Sequence, residues 1–505
     1  MEIFMTSFVL SSIFAVALTA ILLWKGSKSG QRKLLPSPRK LPIIGHLHHL
    51  SGAPPHHALR TLSQKYGPLI HLWLGEIPAI VVSSPRLARE VTRTQDIALA
   101  NRPEFLVGKI LCYNSTDIAC APYGEYWRQI RKICTLELLT AKNVRAYGSI
   151  RHEEALNLIS SIKALVGHSA AIDLTEKLAE YTSSTVVRTA FGKVSKDDHN
   201  AFLELVREAT PLSSAFEISD LFPSLKILHP FLSIRSKLMK IHYRLDRLLD
   251  NIIDQYEKLG QTKTSNEDLL DVLIRVKHNN DLQVPITRDN IKAIMHDIFT
   301  AGTETTSSTL DWAMVELIRH PEVMAKLQNE IRTVFGEKET IEEADIQEIG
   351  YLKSVVKETL RLHPPVPLLV PRESREQTEI DGNIIPAKTR VLVNAWAIGR
   401  DPQYWDDQES FKPERFEGSD KDFAGNHFEY IPFGAGRRMC PGMSFGLASL
   451  YLPLALFLHH FNWKLPNGVN PEDLDMGENV SIATSRTNHL LLIPSLHQPF
   501  QTSGR

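Results

Sequence analysis

The stretch from Thr287 to His320 reads as one uninterrupted helix, and no other feature constrains the fold as much. Thr287 can cap its start with a hydroxyl, and Pro321, which lacks an N–H, forbids its continuation. Ile291, Met295, Ile298, Gly302 and Thr305 fall along one side. At about 1.5 Å per residue the element is roughly 50 Å long. A helix of that length crosses most of a domain, so its neighbours must pack along it. Its middle, "AGTETT" at 301–306, is unusual, because Gly302 weakens a helix and Thr305 can bond back to it. Taken alone, the interruption is either a packing notch or an opening for a ligand.

The rest of the pattern is mostly helical, which predicts a mainly α fold with small β-sheets. "HLWLGEIPAIVVSS" (71–84) alternates and breaks like a hairpin, and "NIIPAKTRVLVNAWAI" (383–398) reads as more strand. The polar stretch at 260–268 reads as a surface loop between helices. With no Gly/Ser-rich linker, repeat or low-complexity tract, residues 46–505 are expected to form one large domain. A net charge of −1 leaves no basic excess to neutralise phosphates, which excludes a nucleic-acid partner. The four cysteines, Cys112, Cys120, Cys134 and Cys440, are too sparse for a disulfide framework. They include no CxxC pair of the kind that binds zinc, and reduced thiols are the expected state.

From Ile3 to Trp24 there is no charge, and Lys25, Lys28, Arg32 and Lys33 follow at once. The run is long enough to span a bilayer as a helix, which takes roughly 20 residues. Basic residues mark the cytoplasmic side, so the remainder is expected in the cytosol. A cleaved signal peptide would carry its positive charge before the apolar run and small residues after it. The expected layout is therefore a transmembrane anchor (1–24) and a basic, proline-rich hinge (25–45) ahead of the main domain. The hinge contains "PSPRKLPIIG", whose three prolines prevent a helix. In that orientation the sequons at Asn114 and Asn479 stay unglycosylated.

Cys440 sits in a frame its three fellows lack. Phe433, Gly436, Arg438, Cys440 and Gly442 form the pattern F-x-x-G-x-R-x-C-x-G ahead of an apolar segment. Glycines admit backbone that other residues cannot adopt and let a flat ligand approach. A thiolate needs positive charge or hydrogen bonds nearby, and an arginine can bind a carboxylate. Thiolate, carboxylate recognition and a tight loop together suit an iron porphyrin.

With these residues the sequence resembles the cytochrome P450 haem-thiolate monooxygenases. Further matches lie in the family's order: the hinge at 36–45, "WRQIR" at 127–131, "AGTETT" at 301–306, "ETLR" at 358–361 and "PERF" at 413–416. Ser37 departs from a common hinge glycine, and Glu304 from a common aspartate. The resemblance implies the P450 fold, haem b, and Cys440 as axial ligand to the iron. It implies haem-binding roles for Trp127, Arg131, Arg372 and Arg438, and a loop built on Phe433, Gly436 and Gly442. Glu304 and Thr305 take the proton-relay role. Glu358, Arg361 and Arg415 form a structural triad holding the cysteine loop.

The same resemblance implies an enzyme in the endoplasmic reticulum membrane, with its catalytic domain in the cytosol. It would use O2 and electrons from NADPH–cytochrome P450 reductase, with Arg128, Lys132 and Arg437 as a docking patch. A haem-thiolate isomerase acting without reductase is the reading from a different class. "KYGPLIHLWLGE" and "LRLHPPVPLLVPRE" are similar to the plant microsomal branch that holds sesquiterpene hydroxylases. That branch implies an apolar small-molecule substrate, a terpenoid first and an indole alkaloid or other aromatic metabolite second. By position in the family, the resemblance implies that Ile110, Ala301, Val366, Leu369, Val370, Ile482 and Ala483 line the substrate pocket, and all are aliphatic.

Overall fold

The computed structural model describes residues 35–497, apart from 168–170, 193, 215, 226–232, 260–267, 280–282, 339 and 467. The chain divides into two compact units, Met1–Pro36 and Ser37–Arg505. The uncharged run Ile3–Trp24 and the basic residues after it lie outside the described residues, as does the loop at 260–267. All the described helices and strands belong to the second unit.

The long helix forms as its ends dictate. It spans Arg288–Arg319, and Thr287 and Asn290 make a reciprocal capping box, each side chain accepting from the other's backbone N–H. Its two halves belong to different hydrophobic cores. Ile291, Ile294, Met295 and Phe299 pack in one cluster, and Leu310, Trp312, Met314 and Leu317 in another. Between them the small and polar run from Thr300 to Thr309 interrupts the apolar packing. A space opens beside the helix where neither core claims it.

Several other helices surround it. We label α1 (Glu125–Ile133), α2 (Leu174–Phe191), α3 (Lys196–Ala209), α4 (Ser233–Leu259), α5 (the long helix), α6 (Gly350–Leu362) and α7 (Met443–His460). Gly302 serves as a packing notch, since a Cβ there would meet Val186 Cγ2 of α2 at 2.8 Å, and it also borders the space beside the helix. Among the described residues α7 is the one helix long and apolar enough to cross a membrane, yet Leu452, Leu454, Leu456 and Phe457 are fully buried in the protein core.

The small sheet orders four strands as β1 (Leu69–Leu74), β2 (Ile77–Val82), β4 (Arg390–Val393) and β3 (Arg372–Glu373). The hairpin read at 71–84 is present, with Leu69 opposite Val82 and Gly75 at its turn in the left-handed region. The second strand reading holds only in part. Asn383–Ile385 and Arg390–Val393 are strands, but Ala395–Ile398 is a helical turn. Asn394 is the cause, because its side chain accepts from the Ala397 N–H and starts a helix. The proline-rich segment turns back on itself between Leu41 and Gly45, and His46 N donates to the Trp73 carbonyl at 2.7 Å. A hairpin of β5 (Glu478–Val480) and β6 (Thr484–Arg486) lies against the long helix, where Ser308 Oγ donates to the Thr484 carbonyl.

Candidate active site

The cysteine loop is held by its own backbone. Cys440 N donates to the Phe433 carbonyl at 2.9 Å, closing a turn that contains the short helix Gly436–Arg438. Gly436 has φ +72°, and a Cβ on it would lie 1.9 Å from the Thr92 carbonyl oxygen. No other residue fits there without moving the segment beneath. Asp96 accepts from the Arg437 N–H at 2.9 Å and pairs with Arg372 at 2.7 Å, pinning the loop to β3.

Above the loop is a cavity of about 280 Å³. Cys440 is open to it, although it lies deep in the protein. Burial pushes the free thiol up, while the Gly442 amide and the Arg131 charge act the other way. The three other cysteines do not reach the wall: Cys112 and Cys134 are buried and Cys120 is half-buried elsewhere.

One side of the cavity is strongly cationic. Arg131, Arg372 and Arg438 line it as the sequence implies, joined by Arg102. Burial pushes all four guanidiniums below their usual range, and with Arg372 and Arg131 as neighbours Arg438 falls to about 9. Among the described residues only Arg372 has a carboxylate at ion-pair distance, Asp96. Arg438 donates instead to the carbonyls of Ala100 and Ala121, Arg102 to those of Ala119 and Pro371, and Arg131 to that of Met439. Trp127 is not on the wall. Its ring lies 4.1 Å beneath the Arg438 guanidinium and its indole N–H donates to the Ile118 carbonyl. Buried cations with too few counter-ions call for an anionic ligand. A porphyrin with two carboxylates over an open thiol satisfies both demands, so the residues present fit haem.

Much of the remaining lining is aliphatic. Ala301, Val366, Leu369 and Val370 belong to it as expected, and Ile298 joins them. Leu369 holds φ +50°, a conformation uncommon for a large side chain. Three expected residues are not on the wall. Ile110 is buried in the core with Leu106 and Leu111. Ile482 and Ala483 sit in a tight bend, with Ile482 N donating to the Ser213 carbonyl. The bend adjoins the wall where Thr484 N donates to the carbonyl of Pro365.

Thr305 and Glu304 also part company. Thr305 lines the cavity, its hydroxyl donating to the Ala301 carbonyl at 2.7 Å. Glu304 lies off the wall, where burial pushes its carboxyl up and the Arg207 charge of α3 opposes this. A residue one step earlier on a helix is rotated by about 100°.

Away from the cavity, Glu358 and Arg361 of α6 are 0 % exposed and joined by two 2.8 Å contacts. Arg415 Nε and the Lys412 N–H also donate to Glu358, so its carboxylate gathers the segment around Pro413–Phe416 onto α6.

A model of the family described as cytochrome P450 matches residues 35–492. The chain belongs to the cytochrome P450 family. It is similar to premnaspirodiene oxygenase of Hyoscyamus muticus, 53 % identical over 98 % of this chain and 99 % of that one. It is 50 % identical to 5-epiaristolochene 1,3-dihydroxylase of Nicotiana tabacum over 98 % and 99 % of the two chains. The structure is similar to a zebrafish cytochrome P450 solved with progesterone, with a TM-score of 0.76 and 26 % identity over 88 % of this chain and 100 % of that one. The chain is thus a P450 monooxygenase. It binds haem b and uses O2, a redox partner and a hydrophobic substrate.

Two charged wall residues of this P450 escaped the sequence reading. Arg102, in "ANRPEF", carries no pattern that sets it apart from a surface arginine. Asp297 carried a usable signal: it lies four residues before Ala301 on the same helix face, an acid among apolar neighbours. Its Oδ2 accepts from the N–H groups of Ile118 and Ala119. Burial and the neighbouring Asp117 push its carboxyl up, so it adds little negative charge to the cavity.

Proposed function

We propose that this P450 hydroxylates a terpenoid hydrocarbon, a sesquiterpene scaffold foremost, with electrons from NADPH–cytochrome P450 reductase at the endoplasmic reticulum membrane. The observation that carries the reading is that the lining, apart from the arginines that fit the haem carboxylates and from Asp297, is mostly aliphatic, with threonine hydroxyls as its polar groups. Such a lining suits a hydrocarbon with few polar handles. The names of the two plant relatives point to the same substrate class.

Cys440 would ligate the haem iron, and Arg131, Arg372 and Arg438 would hold its carboxylates. Trp127 supports Arg438 from below. Phe433, Gly436 and Gly442 shape the loop. Thiolate-ligated haem supplies the reductive activation of O2. The protein's part is to exclude water with its aliphatic side and to deliver protons. Thr305 Oγ1, on the wall, can turn from the Ala301 carbonyl to donate into the cavity. Glu304, next in sequence and off the wall, has its carboxyl pushed up by burial, which favours proton retention. Glu358, Arg361 and Arg415 act as structure. Arg128 and Lys132, both exposed on α1, and the half-exposed Arg437 offer the reductase a basic face.

The test is turnover with reductase, NADPH and O2 on a panel of sesquiterpenes, diterpenes and indoles. Hydroxylated sesquiterpenes are the expected products. Conversion of hydroperoxides alone, without reductase, would overturn the reading. On the same panel, Ala301→Val and Val366→Ala are expected to shift product ratios by roughly 1–3 kcal/mol of discrimination with the haem spectrum intact. Unchanged ratios in both would remove the aliphatic wall from the substrate site.

The membrane reading rests on residues 1–24 as an anchor and 25–45 as a hinge to the catalytic domain 46–505. The full chain is expected to sediment with microsomes and to resist alkaline carbonate. Recovery in the soluble fraction would sink it.

A further inference from the structure

The side chains of His56, His57 and Glu478 converge far along the chain from the cysteine loop. His56 and His57 open the helix Pro55–Tyr66, and Glu478 stands on β5. Their donor atoms all lie within 4.8 Å of one another. His56 is 1 % exposed and Glu478 9 %, while His57 is 41 % exposed and opens the trio to solvent.

His56 Nε2 is 2.9 Å from Glu478 Oε2, and His57 Nε2 is 3.6 Å from the same oxygen. Beyond these contacts with one another the three atoms have no hydrogen-bond partner among the described residues. Three buried polar atoms aimed at one another with no other partner leave a shared need. The spacing says what would meet it. Donors at about 2.0–2.2 Å from a metal stand roughly 2.9 Å apart at a right angle and roughly 3.4 Å apart in a tetrahedron. The imidazole rings are 4.5 Å apart and nearly perpendicular, at 82°. Trp396 fixes them, stacked on His57 at 4.1 Å and edge-on to His56 at 5.0 Å.

The protonation states agree. Burial, with His56 beside it, pushes His57 down to about 4. Burial raises Glu478, but the contact with His56 and the nearby histidines outweigh it and hold it below the ordinary carboxylate range. A neutral imidazole and a carboxylate are ready ligands. The nearby cations Arg60 and Arg400 are both engaged by Glu409, at 2.6 and 3.0 Å.

The geometry points to a binding site for a divalent first-row transition metal, such as Zn2+, formed by His56 Nε2, His57 Nε2 and Glu478 Oε2. Imidazole and carboxylate are the donors such ions take. The metal would tie the β5–β6 hairpin to a helix more than four hundred residues earlier. The same hairpin touches the cavity wall at Pro365 through Thr484.

The experiment uses the full-length haem-loaded enzyme without an affinity tag, stripped with chelator and then titrated with Zn2+. About one zinc per haem is expected after dialysis, with imidazole scattering in its X-ray absorption spectrum. His57→Ala and Glu478→Gln should each weaken binding at least tenfold while the carbon monoxide spectrum is kept. His49→Ala, in a separate histidine pair, should leave it unchanged. Zinc retained at full affinity in His57→Ala, or no zinc bound by the unaltered enzyme, would overturn the site. Should Glu478→Gln fail to hold haem, the half-exposed His57 decides the matter alone.

Discussion

Replacing Cys440 with serine is expected to abolish both the thiolate-type carbon monoxide spectrum of the reduced haem and all reductase-driven turnover. Cys440 is the cysteine on the cavity wall, and it faces the cationic rim that fits the haem carboxylates. A serine oxygen is a hard, weakly donating ligand that stays protonated near neutrality, whereas thiolate is soft and strongly donating. The loop itself should survive, because the contact that closes it runs from the Cys440 N–H to the Phe433 carbonyl and uses no side chain. Serine at Cys112, Cys120 or Cys134 should leave the spectrum in place. A thiolate spectrum persisting in Cys440→Ser, or lost in one of the other three, would refute the assignment.

Glu358→Gln should cost the fold about 3–5 kcal/mol. The carboxylate is 0 % exposed and takes bonds from Arg361, from Arg415 and from the Lys412 N–H. The amide cannot match two guanidiniums, so two cations remain where one anion served them. Arg361 is fully buried as well and also donates to the carbonyls of Gly399 and Gln408, so it cannot turn away to water. The expected readout is a sharp fall in haem-loaded protein and in the denaturation midpoint. The comparison is Glu125→Gln, which breaks an exposed pair with Arg128 and should change stability by about 0–1 kcal/mol. Equal stability losses in the two variants would mean that burial of the triad contributes nothing.

The sequence announced both ends of the long helix and the frame around Cys440, because each rests on local chemistry. A cap hydroxyl, a proline that ends a helix and a glycine at positive φ leave their mark within a few residues. What it concealed depends on direction. Glu304 and Thr305 are neighbours in sequence, but a helix turns about 100° per residue, and only Thr305 faces the cavity. Family position puts Ile482 and Ala483 in the pocket, yet they are not on the cavity wall, and their bend is tied to Ser213 by a backbone bond. Arg102 reaches the wall through tertiary packing alone. The residues Ala395–Ile398 looked like strand until Asn394 is seen to cap them.

The cavity walls also set an order of events in time. They are drawn from residues between Arg102 and Leu450, stretches that cannot all meet until the chain has been made as far as Leu450. A ribosome releases Arg102 and Arg131 long before the loop of Cys440, so the nascent chain has no place to hold its cofactor. Haem capture is therefore a late step in maturation. Cells short of haem should accumulate a chain that is complete in length and nearly complete in fold, with four guanidiniums crowded around an absent anion. Haem supply during expression should then decide how much of the protein survives proteolysis, and the yield of holoenzyme should respond to it more steeply than the yield of transcript.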